Sequence, residues 1–146
     1  MKISIINGPN LNLTGQREVQ HYGQASLGEY FKQLQKKYPE VQLGFYQSNI
    51  EGELIDKLHE VGFSEDGIIL NAGGYTHTSV AIGDAVKAIK TPVVEVHISN
   101  VFKREPFRHE SYISAGAAGT ITGLGLAVYE LALKYFTEVL EGWGRW

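Results

Sequence analysis

Five short runs of apolar and β-branched residues, at 2–7, 41–46, 67–71, 92–97 and 118–122, alternate along this chain with segments whose apolar side chains recur at helical spacing. The helical period is carried by Leu27, Tyr30, Phe31, Leu34 and Tyr38, by Leu54, Ile55, Leu58 and Val61, by Val80, Ala81, Asp84, Ala85 and Ala88, and by a last helix from about 124 to 140. Strict β-α alternation with strands apolar on both sides predicts a parallel sheet covered by helices on both faces, joined by right-handed crossovers.

With five strands, the α/β topology expected is a flavodoxin-like parallel sheet of order 2-1-3-4-5. The 146 residues, 43% hydrophobic and 20% charged, suit a single domain spanning 1–146. No cysteine is present, so a disulfide framework, a thiol nucleophile and Cys-based metal sites are excluded. The net charge of −3, from 13 Lys+Arg and 16 Asp+Glu, gives no overall basic field for nucleic acid or anionic lipid. The first residues lack a signal-peptide pattern, and a cytoplasmic location is expected. The longest uncharged stretch, 111–129, is interrupted by Ser, Gly and Thr and reads as a strand leading into a helix, so no membrane span is expected.

Ligands of open α/β sheets sit beyond the carboxyl ends of the strands where the order reverses, which places the site on the loops after strands 1, 3 and 4. Those loops are Gly8-Pro9-Asn10-Leu11-Asn12, then Asn71-Ala72-Gly73-Gly74-Tyr75-Thr76-His77, then His97-Ile98-Ser99-Asn100. Their roots span roughly 10 Å, the width of a six-carbon ring with polar substituents. Cofactor motifs fail: Gly123-Leu124-Gly125 is followed by Val128 where a dinucleotide fingerprint needs Gly, and no phosphate-binding P-loop occurs. His77, His97, His109 and Glu95 could offer metal ligands, but no pair has the helical spacing of a zinc protease. His21 and His59 read as solvated.

His97 stands apart because Glu95, two residues earlier on the same strand, shares its face and can fix the imidazole tautomer. A strand-end histidine so held suits acid or base work, and its unperturbed pKa favours it as the base. Arg108, framed by Pro106 and Phe107, suits two-point recognition of a carboxylate. The segment 15–23, with Gly at both ends, reads as a lid carrying Arg17 and Tyr22. A guanidinium beside a phenol with water excluded would favour phenolate.

With Asn7-Gly8-Pro9-Asn10-Leu11-Asn12, Arg17-Glu18, Tyr22-Gly23, Gln47-Ser48-Asn49, Glu51 to Ile55, Asn71 to Val80, Glu95-Val96-His97 and Arg104 to His109 in order, the chain resembles the type II 3-dehydroquinate dehydratases from end to end. The last residues, 142–146, lie outside the pattern. The resemblance implies reversible dehydration of 3-dehydroquinate to 3-dehydroshikimate by anti elimination through an enolate, with no metal or organic cofactor. It assigns Tyr22 as the base at C2, Arg17 as the group favouring its phenolate, Asn10 as holder of the water at the enolate oxygen, and His97 as the acid with Glu95 behind it. It gives Asn71, His77, Ile98, Ser99 and Arg108 to substrate binding and sends Asp84 to the site of a neighbouring subunit, within trimers assembled into a dodecamer. The sequence departs from the family at Ala72 and Val19, where Pro is usual, and at Gly83, where Arg often precedes the interface Asp. The rival from another class is a small-molecule-binding module without turnover, which an assay for product separates.

Overall fold

A computed structural model describes residues 1–14 and 26–143. Its sheet has five strands, β1 (Lys2–Asn7), β2 (Gln42–Gln47), β3 (Gly67–Asn71), β4 (Val93–His97) and β5 (Gly119–Thr122), in the order β2-β1-β3-β4-β5. Every neighbouring pair is parallel. This is the flavodoxin-like arrangement expected from the alternating pattern. No helix among the described residues is long and apolar enough to cross a membrane.

Helices α1 (Leu27–Lys37), α2 (Glu51–Val61), α3 (Val80–Ala88) and α4 (Ala127–Lys134) cover the sheet, and α4 continues through a π-helical turn, Tyr135–Val139, into Leu140–Trp143. Side chains alternate across a strand, so each central strand feeds two cores. Ile3, Ile5, Ile69, Val94 and Val96 pack with Phe31, Leu34, Tyr129, Leu133 and Phe136 of α1 and α4 and its extension. Ile6, Ile68, Leu70 and Val93 pack with Leu54, Leu58, Ile82 and Val86 of α2 and α3. Side-chain caps start two of these helices: Ser26 accepts from the Glu29 N–H at 3.2 Å, and Ser79 from the Ile82 N–H at 2.9 Å.

The departures from the sequence reading have local causes. The central strands are buried on both faces, whereas β2 and β5 are edge strands and partly exposed. The ladder takes Gln42 rather than Val41 as its first β2 residue, because Lys2 pairs with Gln42. The last helix begins at Ala127 instead of about 124. Gly123, Leu124 and Gly125 all hold positive φ, at 80°, 67° and 67°, which a right-handed helix cannot include. Two glycines allow close approach: a Cβ on Gly8 would run into the Ala72 carbonyl, and one on Gly83 into the Tyr112 carbonyl. Gly83 is therefore buried packing inside the subunit, and Ala72 is fully buried in the α2/α3 core.

Candidate active site

Three strand ends converge where the sheet order reverses. Register sets Asn7 beside Gln47 on one side and Asn71 on the other, and the chain leaves β4 at His97. The cleft above these ends is lined by Asn10, Asn71, His77, His97, Ser99, Arg104 and Arg108, with Leu11, Ile98 and Val101 as its apolar wall. No carboxylate is among its described lining residues, so a cationic wall forms inside a chain that is acidic overall.

Asn10 stands in the left-handed region, φ 69°, and its N–H donates to Asn49 Oδ1 at 3.0 Å. Gln47 Nε2 donates to the same oxygen at 3.1 Å and to the Gly8 carbonyl at 3.1 Å. Ser48 donates to Glu53 at 2.6 Å. The 47–53 motif thus braces the Asn10 loop from β2. Asn71 is buried, with its Oδ1 accepting the Gly73 N–H at 3.2 Å and its Nδ2 donating to Tyr129 Oη at 2.9 Å. Tyr129 in turn donates to Asn7 Oδ1 at 2.7 Å.

That phenol ties the ends of β1 and β3 to α4, and sequence reasoning overlooked it. The only available signal was a tyrosine on an apolar helix face, where a buried hydroxyl needs a partner. Tyr129→Phe removes the hydroxyl from two buried amides, and a loss of about 1–3 kcal/mol is expected. The check is a lower urea midpoint at unchanged m-value; an unmoved midpoint would contradict it.

His97 and Glu95 are both buried, at 6% and 1% exposure, and His97 Nε2 donates to Glu95 Oε2 at 2.5 Å. Nδ1 is then the ring nitrogen left for a ligand. Burial pushes the Glu95 carboxyl up, but hydrogen bonds from His97, Ser114 and Ser111 and the imidazolium charge hold it below the usual carboxylate value. His77 stacks on His97 with ring centres 6.1 Å apart, and its Nδ1 lies 2.6 Å from the Glu110 carbonyl. Burial lowers its pKa, helped by the charges of His97 and Arg108 and opposed by the Glu110 carbonyl. His77 is accordingly a neutral donor–acceptor at the cleft wall near pH 7.

Arg108 is bound through Nε to Glu105 Oε2 at 2.6 Å and lies over the Phe107 ring. Arg104 donates to Ser99 Oγ at 3.2 Å. The structure therefore places both Arg104 and Arg108 in the cleft, where the sequence reading gave a role only to Arg108 of these two. Asp84 is exposed on α3 and does not line this cleft. Arg17, His21 and Tyr22 lie outside the described residues. Among the described residues, no three His, Cys, Asp or Glu side chains are grouped so that they could hold a metal ion.

The family model for dehydroquinase class II matches residues 1–137. The chain belongs to this family. Among the relatives of this class II dehydroquinase chain, a 3-dehydroquinate dehydratase of an Exiguobacterium strain is 56% identical over 139 residues, covering 94% of this chain and 95% of that one. A 3-dehydroquinate dehydratase of Campylobacter jejuni is 50% identical over 143 residues, covering 97% and 90%. The crystal structure of type II dehydroquinase from Butyrivibrio crossotus superposes with a TM-score of 0.90 at 42% identity, covering 94% of this chain and 98% of that one. In this class II dehydroquinase chain, the histidine–carboxylate pair at the strand end and the cationic wall are thus set on a fold shared with a solved type II dehydroquinase.

Proposed function

We propose that this chain is a single-domain 3-dehydroquinate dehydratase that reversibly forms 3-dehydroshikimate by anti elimination through an enolate, as a step of the shikimate pathway. The observation that carries the reading is the buried Glu95–His97 pair opening onto a cleft with two guanidiniums, in a chain of the class II dehydroquinase family. The curated relatives named above carry the same activity in their names.

In this reading Tyr22 takes the C2 proton, and Arg17 favours its phenolate and the transition state. Charge then moves onto the ketone oxygen, where a water held by Asn10 stabilises the enolate. His97, with Nε2–H committed to Glu95, delivers a proton from Nδ1 to the departing hydroxyl, which leaves as water. Asn71, His77, Ile98, Ser99 and Arg108 bind the substrate hydroxyls and carboxylate, with the Arg108 guanidinium on the carboxylate. Asp84, exposed on α3, contributes to the site of a neighbouring copy in a trimer, and trimers assemble into a dodecamer in the cytoplasm. No metal or organic cofactor takes part.

The deciding experiment mixes purified protein with 3-dehydroquinate and follows enone absorbance, with and without chelator. Rising absorbance insensitive to chelator is expected; binding without an absorbance change would leave the chain as a binding module. Arg108→Ala should raise KM by about 10–100-fold with kcat little changed, since a charge-assisted contact contributes about 1.5–3 kcal/mol. A fall in kcat at constant KM would move the carboxylate contact to another residue, Arg104 being the other guanidinium that lines the cleft among the described residues.

A further inference from the structure

A carboxylate 1% exposed is either protonated or richly supplied with donors, because burial without partners costs several kcal/mol. Glu95 has the donors. Ser114 Oγ donates to Oε1 at 2.5 Å, and Ser111 Oγ reaches Oε1 at 3.1 Å and Oε2 at 3.0 Å. Thr120 Oγ1 stands 3.4 Å from Oε1, placed there by the β4–β5 register that pairs Glu95 with Thr120. The remaining direction on Oε2 belongs to His97 Nε2.

The two serines are not equivalent. Ser111 Oγ also accepts the N–H groups of Ile113 at 3.0 Å and Ser114 at 3.1 Å, so its single hydrogen is turned toward the carboxylate by the turn it builds. Ser114 Oγ makes no such turn contact; beyond Glu95 it meets only Thr120 Oγ1, at 3.4 Å, among the described residues. Removing the Ser114 hydroxyl thus tests the carboxylate contact with little disturbance of the loop.

We infer that Ser114 and Ser111, assisted by Thr120, are positioning residues that hold Glu95 as an anion aimed at His97 Nε2, so that the imidazolium presents its second proton to the cleft at Nδ1. The catalytic half of this inference rests on His97 being the acid of the proposed reaction. The carboxylate half rests on the hydrogen bonds alone.

Few other charges compete at the pair. His77 faces it from the turn after β3, and Arg104 and Arg108 stand in the cleft from the loop after β4. Among neighbours in register, β3 presents Leu70 and β5 presents Thr120. On α3 the charged groups Asp84 and Lys87 are exposed, and on α4 Glu130 is bound to Lys37 and Tyr38. The hydroxyls are therefore the main neutral support of the anion.

The test is Ser114→Ala, with Ser114→Thr as the variant that keeps a hydroxyl. Carboxyl carbon NMR follows the Glu95 titration in the free protein, and kcat and KM are measured against pH with 3-dehydroquinate. In Ser114→Ala the Glu95 titration should move upward by about one pH unit, the size of one lost charged hydrogen bond. The acidic limb of kcat should move upward with it at unchanged KM, and Ser114→Thr should reverse both shifts. An unmoved titration, or a pH-independent fall in kcat that Ser114→Thr leaves in place, would overturn the inference. If the unsubstituted protein shows no turnover while the NMR shift is seen, the dehydratase reading fails and the hydroxyl–carboxylate coupling stands.

Discussion

His97→Asn is expected to lower kcat by about 10²–10⁴, the usual contribution of a positioned acid, while the protein stays folded. The imidazole donates to Glu95 through Nε2 from a buried position, so no solvent-borne acid replaces it at the same point of the cleft. Asparagine keeps a polar group near Glu95 but has no proton to deliver near pH 7.

The same change carries a stability signature. In the unsubstituted protein the Glu95 carboxyl is held below its usual value, so its contribution is present above the ordinary carboxylate pKa and lost as pH falls through the folded value. Without His97, the strongest influence lowering that value is gone and burial pushes the carboxyl back up. The variant should then be less stable than the parent at pH 7, with the gap narrowing as pH falls through the carboxylate range. Initial rates by enone absorbance and urea midpoints at two pH values check both halves. A kcat within tenfold of the parent would remove His97 from the acid role.

What the sequence disclosed follows the range of the interaction involved. Strand and helix positions rest on local periods, and Glu95 with His97 rests on the two-residue repeat of a strand, so these were legible. The edges of elements were less so. The left-handed run at Gly123, Leu124 and Gly125 looks like an ordinary helix entry until its backbone angles are known. The hydroxyls around Glu95 come from 16, 19 and 25 positions away, and Tyr129 reaches Asn7 across 122. Those contacts depend on how β5 and α4 return to the sheet, which no local pattern encodes.

Choice between chemically equal groups was also hidden. Arg104 and Arg108 share one loop, and only the folded loop shows that both face the cleft, one steadied by Ser99 and the other by Glu105. His97 by residue type reads as a base, and only the folded strand shows that its Nε2 is bound to the Glu95 carboxylate, which leaves Nδ1 as the ring nitrogen for a ligand. Asp84 is the opposite case: on one copy of the chain it is an exposed helix residue, and a role for it requires a second copy.

Tyr22→Phe should lower kcat by at least about 10²–10⁴ with substrate affinity largely kept, since it deletes the proposed base and nothing else from the ring. The size of the effect follows from how hard a phenol is to ionise. With a pKa of about 10, roughly one phenol in a thousand is phenolate at pH 7, and lowering the pKa by two units takes about 2.7 kcal/mol of preferential stabilisation of the anion. This chain shows what the wrong neighbour does. Tyr38 donates to Glu130 at 2.7 Å, and burial with that carboxylate drives its pKa upward. Tyr30 is likewise raised by burial and the Glu130 charge. A working phenolate needs the reverse surroundings, a cation and no carboxylate. In the proposal Arg17 supplies that cation, while the described cleft wall adds Arg104 and Arg108 and brings no acid. Arg17→Ala should consequently move the onset of activity to higher pH, whereas Tyr22→Phe should depress kcat across the whole profile. Near-normal turnover in Tyr22→Phe would transfer proton abstraction to another group, and an unmoved onset in Arg17→Ala would release the guanidinium from its part in making phenolate.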